Sequence, residues 1–98
     1  MVNRMNREII INKIIDYLKI YRPNKIGIFG SFSRDELEFN DIDVLIDFSE
    51  PVTLIQLIRM ERELSELLGK KVDLVSSNAI KNKKLKKYIE RELQIIYQ

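Results

Sequence analysis

The chain is predicted to fold as an α+β protein, an α/β sandwich in which a small mixed sheet of about three strands is flanked by about four helices. Three observations predict this. Apolar residues switch along the chain between helical spacing and the two-residue alternation of strands. The segments follow in the order helix, strand, strand, helix, strand, helix, with turn signals between them. Finally, 98 residues leave room for one hydrophobic core, so residues 1–98 are read as a single domain.

In residues 4–21, Ile10, Ile11, Ile14, Ile15 and Leu18 recur at helical spacing, with Arg7, Asn12, Lys13, Asp16 and Lys19 between them. Asn3 or Asn6 is the candidate cap, and Arg22-Pro23-Asn24 ends the helix, because a residue before proline avoids helical angles. This helix is read as scaffold. Lys25 to Phe29 is short, apolar and β-prone, hence a central strand stopped by Gly30-Ser31. A short helical turn is expected over Ser33 to Glu38, capped by Ser31 or Ser33. Asp41 to Phe48 is the second strand. Ile42, Val44 and Ile46 face its apolar side; Asp41, Asp43, Leu45 and Asp47 face the other.

Ser49-Glu50-Pro51 signals a turn and a helix start. From Thr53, the stripe Leu54, Leu57, Ile58, Leu64 and Leu68 predicts a helix with Glu61, Arg62, Glu63 and Glu66 mostly on its solvated side, closed by Gly69. Lys71 to Val75 is a third strand, with Val72 and Leu74 on one face and Asp73 on the other. After the turn Ser76-Ser77-Asn78, a last helix is expected from about Ala79 to Tyr97, burying Leu85, Ile89, Leu93 and Ile96.

Composition narrows the chemistry. With 45% hydrophobic and 33% charged residues the chain is globular rather than disordered. No apolar run is long enough to span a bilayer, and Met1 to Glu8 lacks the apolar core of a secretory signal, so a cytoplasmic location without membrane contact is expected. The absence of cysteine and histidine removes disulfides, thiolate sites, imidazole catalysis and the usual zinc sites. Catalysis must then rest on carboxylates, lysines, hydroxyls and metal.

Those groups concentrate in Gly30-Ser31-Phe32-Ser33-Arg34-Asp35-Glu36 and Asn40-Asp41-Ile42-Asp43-Val44-Leu45-Ile46. A strand that ends in Gly-Ser brings backbone and hydroxyl donors close to a phosphate, because glycine has no Cβ to hold a ligand away. Aspartates at i and i+2 of a strand point to one face, roughly 6–7 Å apart. That pattern suits hard divalent cations, which take oxygen ligands. If the second and third strands are neighbours, Asp73 joins Asp41 and Asp43. Two cations about 3.5–4 Å apart would then serve phosphoryl transfer, with Asp73 as ligand or as base for the incoming hydroxyl.

Two basic features remain open at this level. Lys81, Lys83, Lys84, Lys86 and Lys87 form a solvated helix face, or they contact phosphates, an acidic partner or RNA; with Tyr88 the sole aromatic among them, a single-strand stacking platform is disfavoured. Arg34 is either a structural ion pair or a phosphate contact.

These residues resemble the signature of the minimal nucleotidyltransferases in the DNA polymerase β-like nucleotidyltransferase superfamily, Gly-Ser-x-Ala-Arg-Gly-Glu, a loop, then Ser-Asp-Ile-Asp-Leu. The resemblance extends through Lys71-Val72-Asp73-Leu74-Val75 to the last helix, where Leu85-Lys86-Lys87-Tyr88-Ile89-Glu90-Arg91-Glu92 is similar to the family's ending. The chain departs from the pattern in having Ser33 for alanine, Asp35 for glycine, and nine residues between Ser31 and Asp41, a slightly shorter loop than in many small members. The resemblance implies the nucleotidyltransferase fold and the antitoxin half of a HEPN–MNT toxin–antitoxin pair. It implies Mg2+-dependent transfer of AMP from ATP to a tyrosine hydroxyl of a HEPN-domain ribonuclease toxin, silencing it within a hetero-oligomer. Gly30, Ser31 and Arg34 would bind the nucleotide, and Asp41, Asp43 and Asp73 would be the catalytic, metal-binding carboxylates, with two ions expected. A chain this small brings no second domain to hold an acceptor, so the acceptor is expected on a partner. The alternatives are a catalytically weak module that neutralises its toxin by binding alone and, behind it, an RNA-binding module using the lysine helix.

Overall fold

The computed structural model describes residues 4–34 and 41–98. Helix α1 (Arg4–Leu18) continues into a single 3-10 turn, Lys19–Tyr21. Strand β1 (Pro23–Phe29) runs directly into a one-turn helix, α2 (Gly30–Ser33). Strand β2 (Asp41–Phe48), helix α3 (Leu54–Leu68) and strand β3 (Lys71–Ser76) follow. A 3-10 turn at Ser77–Ala79 then leads to helix α4 (Lys83–Glu92) and strand β4 (Gln94–Tyr97). The sheet order is β3-β2-β1-β4, with β1 antiparallel to both β2 and β4 and β2 parallel to β3. The fold is thus a mixed α+β sandwich.

Alternation along β2 divides the molecule. Ile42, Val44 and Ile46 are fully buried in one core with Ile26 and Ile28 of β1, Val72 and Leu74 of β3, Ile14 and Leu18 of α1, and Met60 and Leu64 of α3. The odd positions of β2 face the opposite side, where Leu45 is buried outside that core, as is Ile89 of α4. The expected face assignment of β2 holds residue by residue, since a pleated strand cannot turn one side chain without turning its neighbours.

Several local expectations shift. The helical turn begins at Gly30, with Phe29 in the capping position and no side-chain cap, so neither Ser31 nor Ser33 caps it. Ser33 is its last residue, its hydroxyl donating to the Gly30 carbonyl at 2.7 Å. The part of that expectation covering residues 35–38, with Asp35 itself, lies outside the described residues, as does the candidate cap Asn3; Asn6 lies inside α1 rather than at its start. In α3 the buried stripe rotates to Leu57, Met60, Leu64 and Leu68, while Leu54 and Ile58 are 70% and 56% exposed. Leu54 is the first helical residue, and Ile58 lies about 100° round the helix from Leu57. The start and stop of α3 match the sequence: Thr53 and Gln56 form a reciprocal capping box, and Gly69 ends the helix at a φ of 68°.

The largest correction is at the C-terminus. The last helix starts later and ends sooner than expected, because Asn82 caps it through bonds from Lys84 and Leu85 N–H, and Leu93 turns extended. Residues 94–97 then form a fourth strand beside β1, so the sheet has four strands rather than about three. Of the four apolar residues assigned to that helix's core, Ile89 alone is fully buried; Leu85 is half exposed.

Glu61 and Ser65 have a role that helical periodicity hides. Glu61 Oε2 accepts the Leu74 N–H at 2.8 Å and Ser65 Oγ accepts the Val72 N–H at 2.9 Å. Side chains of α3 thereby satisfy backbone donors of edge strand β3 that would otherwise invite pairing with another strand. Ser65→Ala and Glu61→Ala are each expected to lower stability by about 1–1.5 kcal/mol, the cost of leaving a partly buried N–H unmatched. A fall in the urea midpoint with an unchanged m-value would register it.

Candidate active site

The Asp-x-Asp pair opens β2, and the parallel pairing of β2 with β3 sets its third member. Asp43 stands in register with Asp73 across that ladder, and with Phe29 across the antiparallel ladder to β1. Asp41 stands opposite Lys71. The structure therefore pairs Asp43 with Asp73 directly and leaves Asp41 two residues further along the same face. Lys71 Nζ lies 3.9 Å from Asp73 Oδ1.

The turn after β1 comes against this pair. Gly30 has a φ of 75°, and a Cβ built on it would fall 2.2 Å from Asp43 Oδ2. Glycine is required twice here, for the left-handed backbone and for the close approach. The turn is closed by bonds to the Gly30 carbonyl from the Arg34 N–H at 3.2 Å and from the Ser33 hydroxyl. Ser31 is half-buried beside it.

Crowding shows in the electrostatics. The Asp43 carboxyl is pushed up to about 6, first by burial, then by the charge of Asp73 and a hydrogen bond with it, then by the charge of Asp41. Arg34 works in the opposite direction, so its guanidinium is felt at Asp43. Arg34 is also held in an ion pair with Glu92 of α4 at 2.6 Å. Of the two readings of Arg34, the ion pair is thus present in this structure. The Tyr88 hydroxyl donates to the same Glu92, which raises its pKa. Further along the face, Lys25, Asp47, Lys86 and Glu90 line a pocket with Leu45 and Ile89. All five lysines of the run are exposed.

Sequence reasoning missed Glu92, Lys71 and Arg7 as neighbours of this site. Lys71 is reachable by pattern, lying two residues from Asp73, whereas Glu92 is 58 residues from Arg34 and the partners of Arg7 lie 25 or more residues away.

The donor set is hard oxygen, suited to Mg2+ rather than to a soft metal. Among the described residues no three Asp, Glu, His or Cys side chains form a group able to hold a metal as they stand. Mg2+ usually takes one or two carboxylates and completes its shell with water and substrate phosphates, and the crowded Asp43–Asp73 pair meets that need.

A mixed sheet with a glycine turn packed against strand-borne aspartates is the arrangement expected of a nucleotidyltransferase. The chain belongs to the family described as Polymerase beta, Nucleotidyltransferase, whose model matches residues 12–98, and it is a transferase of that class. It is 51% identical over 74 residues to a Methanocaldococcus jannaschii protein named "Putative protein adenylyltransferase", covering 74% of this chain and 76% of that one. It is 44% identical over 59 residues to "Protein adenylyltransferase MntA" of Thermococcus cleftensis, covering 59% and 60%. Among solved structures, its fold matches a chain of the structure described as tri-AMPylated Shewanella oneidensis HEPN toxin in complex with MNT antitoxin, at a TM-score of 0.79 and 22% identity, covering 93% of this chain and 71% of that one.

Proposed function

We propose that this chain is an antitoxin-type protein adenylyltransferase that transfers AMP from ATP to a tyrosine hydroxyl of a HEPN ribonuclease toxin and so neutralises it. The observation that carries this reading is the contact between the Gly30 turn and Asp43, with Asp43 in register with Asp73. A phosphate held at the turn would lie beside the carboxylates. Family membership and relatives named as protein adenylyltransferases support the reaction class, and the AMPylated toxin in the similar structure supports a HEPN protein as the acceptor.

In this reading Gly30 and Ser31 hold the β- and γ-phosphates, with Arg34 supplying positive charge nearby. Asp41, Asp43 and Asp73 would hold Mg2+, which supplies charge neutralisation for phosphoryl transfer and acidifies the attacking hydroxyl. In this reading Asp73, partly exposed and beside Lys71, would take that hydroxyl's proton. The new bond joins the tyrosine oxygen to the α-phosphorus, the α–β phosphoanhydride breaks, and pyrophosphate leaves. The whole of residues 1–98 acts as one domain, and the acceptor comes from the partner.

Intact-mass spectrometry of the HEPN protein, co-expressed with this chain, tests the reading. The expected result is a shift by one or more AMP units, located to tyrosine by fragmentation and absent when Asp43→Asn replaces the wild type. An unshifted toxin that is nevertheless inactive in the complex would overturn transfer in favour of neutralisation by binding alone.

A further inference from the structure

Arg7 lies on α1, a helix whose sequence reads as scaffold, yet its side chain reaches the glycine turn. Its Nη1 donates to the Phe32 carbonyl, and its Nη2 donates to the Ser33 carbonyl at 3.4 Å and to Gln94 Oε1 of β4 at 3.0 Å. The guanidinium also lies over the Phe32 ring, 4.8 Å from its centroid. Phe32 and Ser33 are the last two residues of α2, so the guanidinium sits at the C-terminal end of that turn. A cation is favourable at a helix C-terminus, and a planar guanidinium can bond two carbonyls while it stacks on a ring.

We propose that Arg7 is a positioning residue for the nucleotide-holding turn Gly30–Ser33. The inference rests on the reading that this turn binds ATP phosphates. Gly30 at one end of the turn must stay in a left-handed conformation against Asp43. The other end is a four-residue helix, too short to hold itself. Phe32 anchors that end by burial, at 1% exposure, and Arg7 fastens its carbonyls. Gln94 accepts from the same Nη2 that bonds Ser33, so β4, which pairs with β1 where β1 enters the turn, belongs to the same brace. Lysine at position 7 would keep the charge but lose the fork and the stacking plane.

The test compares wild type, Arg7→Ala, Arg7→Lys and Gln94→Ala by amide hydrogen exchange along the chain and by calorimetric titration with ATP and Mg2+. In Arg7→Ala, exchange at Ser31–Arg34 is expected to speed up about tenfold while β2 and β3 stay protected, and the Kd for ATP to rise about tenfold. Arg7→Lys should recover thermal stability but less than half of the affinity, and Gln94→Ala should show a smaller change of the same pattern. Wild-type exchange in the turn with a wild-type Kd in Arg7→Ala would overturn the proposal. Uniformly faster exchange across the sheet would overturn it too, making Arg7 purely structural. A wild-type chain that binds no ATP would overturn the nucleotide reading itself, a failure seen without any variant.

Discussion

Asp43→Asn is expected to abolish AMP transfer while making the folded chain more stable. Loss of this carboxylate should reduce the rate at least about a hundredfold, as removal of a group that organises charge in phosphoryl transfer does. The stability gain follows from the raised Asp43 pKa, about 6 against an ordinary 3.8. A carboxyl that holds its proton more tightly in the folded state binds more protons there than in the unfolded chain, so stability falls as pH rises between these two values. Below both, the folded and unfolded states are equally protonated at this group and the penalty vanishes. Above both, the folded chain carries the full penalty of an ionised Asp43 beside Asp73. Because the site is partly open to water, screening trims the effect to a rise in Tm of about 2–5 °C for Asp43→Asn at pH 7.5 without divalent ions. The gain should shrink as pH falls through this window and vanish below about pH 3. Millimolar Mg2+ should stabilise the wild type and leave the variant unchanged. Thermal melts at both pH values, with and without Mg2+, check all of this; a variant less stable than wild type at pH 7.5 would contradict the crowding.

Gly30→Ala should lose activity just as severely, but with the opposite sign in stability. An L side chain in the left-handed region costs about 1–2 kcal/mol by itself. The new Cβ would also sit 2.2 Å from Asp43 Oδ2, so the carboxylate must rotate out of its place beside Asp73. The backbone strain lowers Tm, whereas Asp43→Asn raises it. The double variant Gly30→Ala with Asp43→Asn keeps the backbone strain and does not relieve the clash, so it should remain less stable than Asp43→Asn alone. Calorimetric Tm values with single-turnover labelling from α-phosphate-labelled ATP give both numbers. A Gly30→Ala chain with wild-type Tm and activity would show that the turn does not press on Asp43.

Much of the site was readable along the chain because its rules are local. Alternation puts Asp41 and Asp43 on the face opposite Ile42 and Val44 whatever the rest of the fold does. The Gly-Ser break after Phe29, the capping box at Thr53 and the stop at Gly69 are likewise decided by neighbouring residues. The same local logic failed where two readings compete. Leu93 to Tyr97 continues the helical pattern of α4, but its β-branched and aromatic residues also suit a strand, and the open edge of β1 tipped the balance. Glu61 looked solvated for a similar reason: its partner, the Leu74 N–H, comes from an edge strand thirteen residues on.

By itself, the sequence determined which residues could carry the chemistry: carboxylates, a glycine turn and an arginine, with imidazole and thiol excluded. It also determined the strand faces that carry them, since side-chain direction in a strand has a period of two. Tertiary structure alone decided that Asp73 pairs with Asp43 rather than Asp41, that Gly30 lies against that pair, and that Arg7 braces the turn from another layer. Those are matters of register and distance between segments far apart in the chain. They are set by how the strands and α1 pack around one buried core, and no local pattern of residues encodes them.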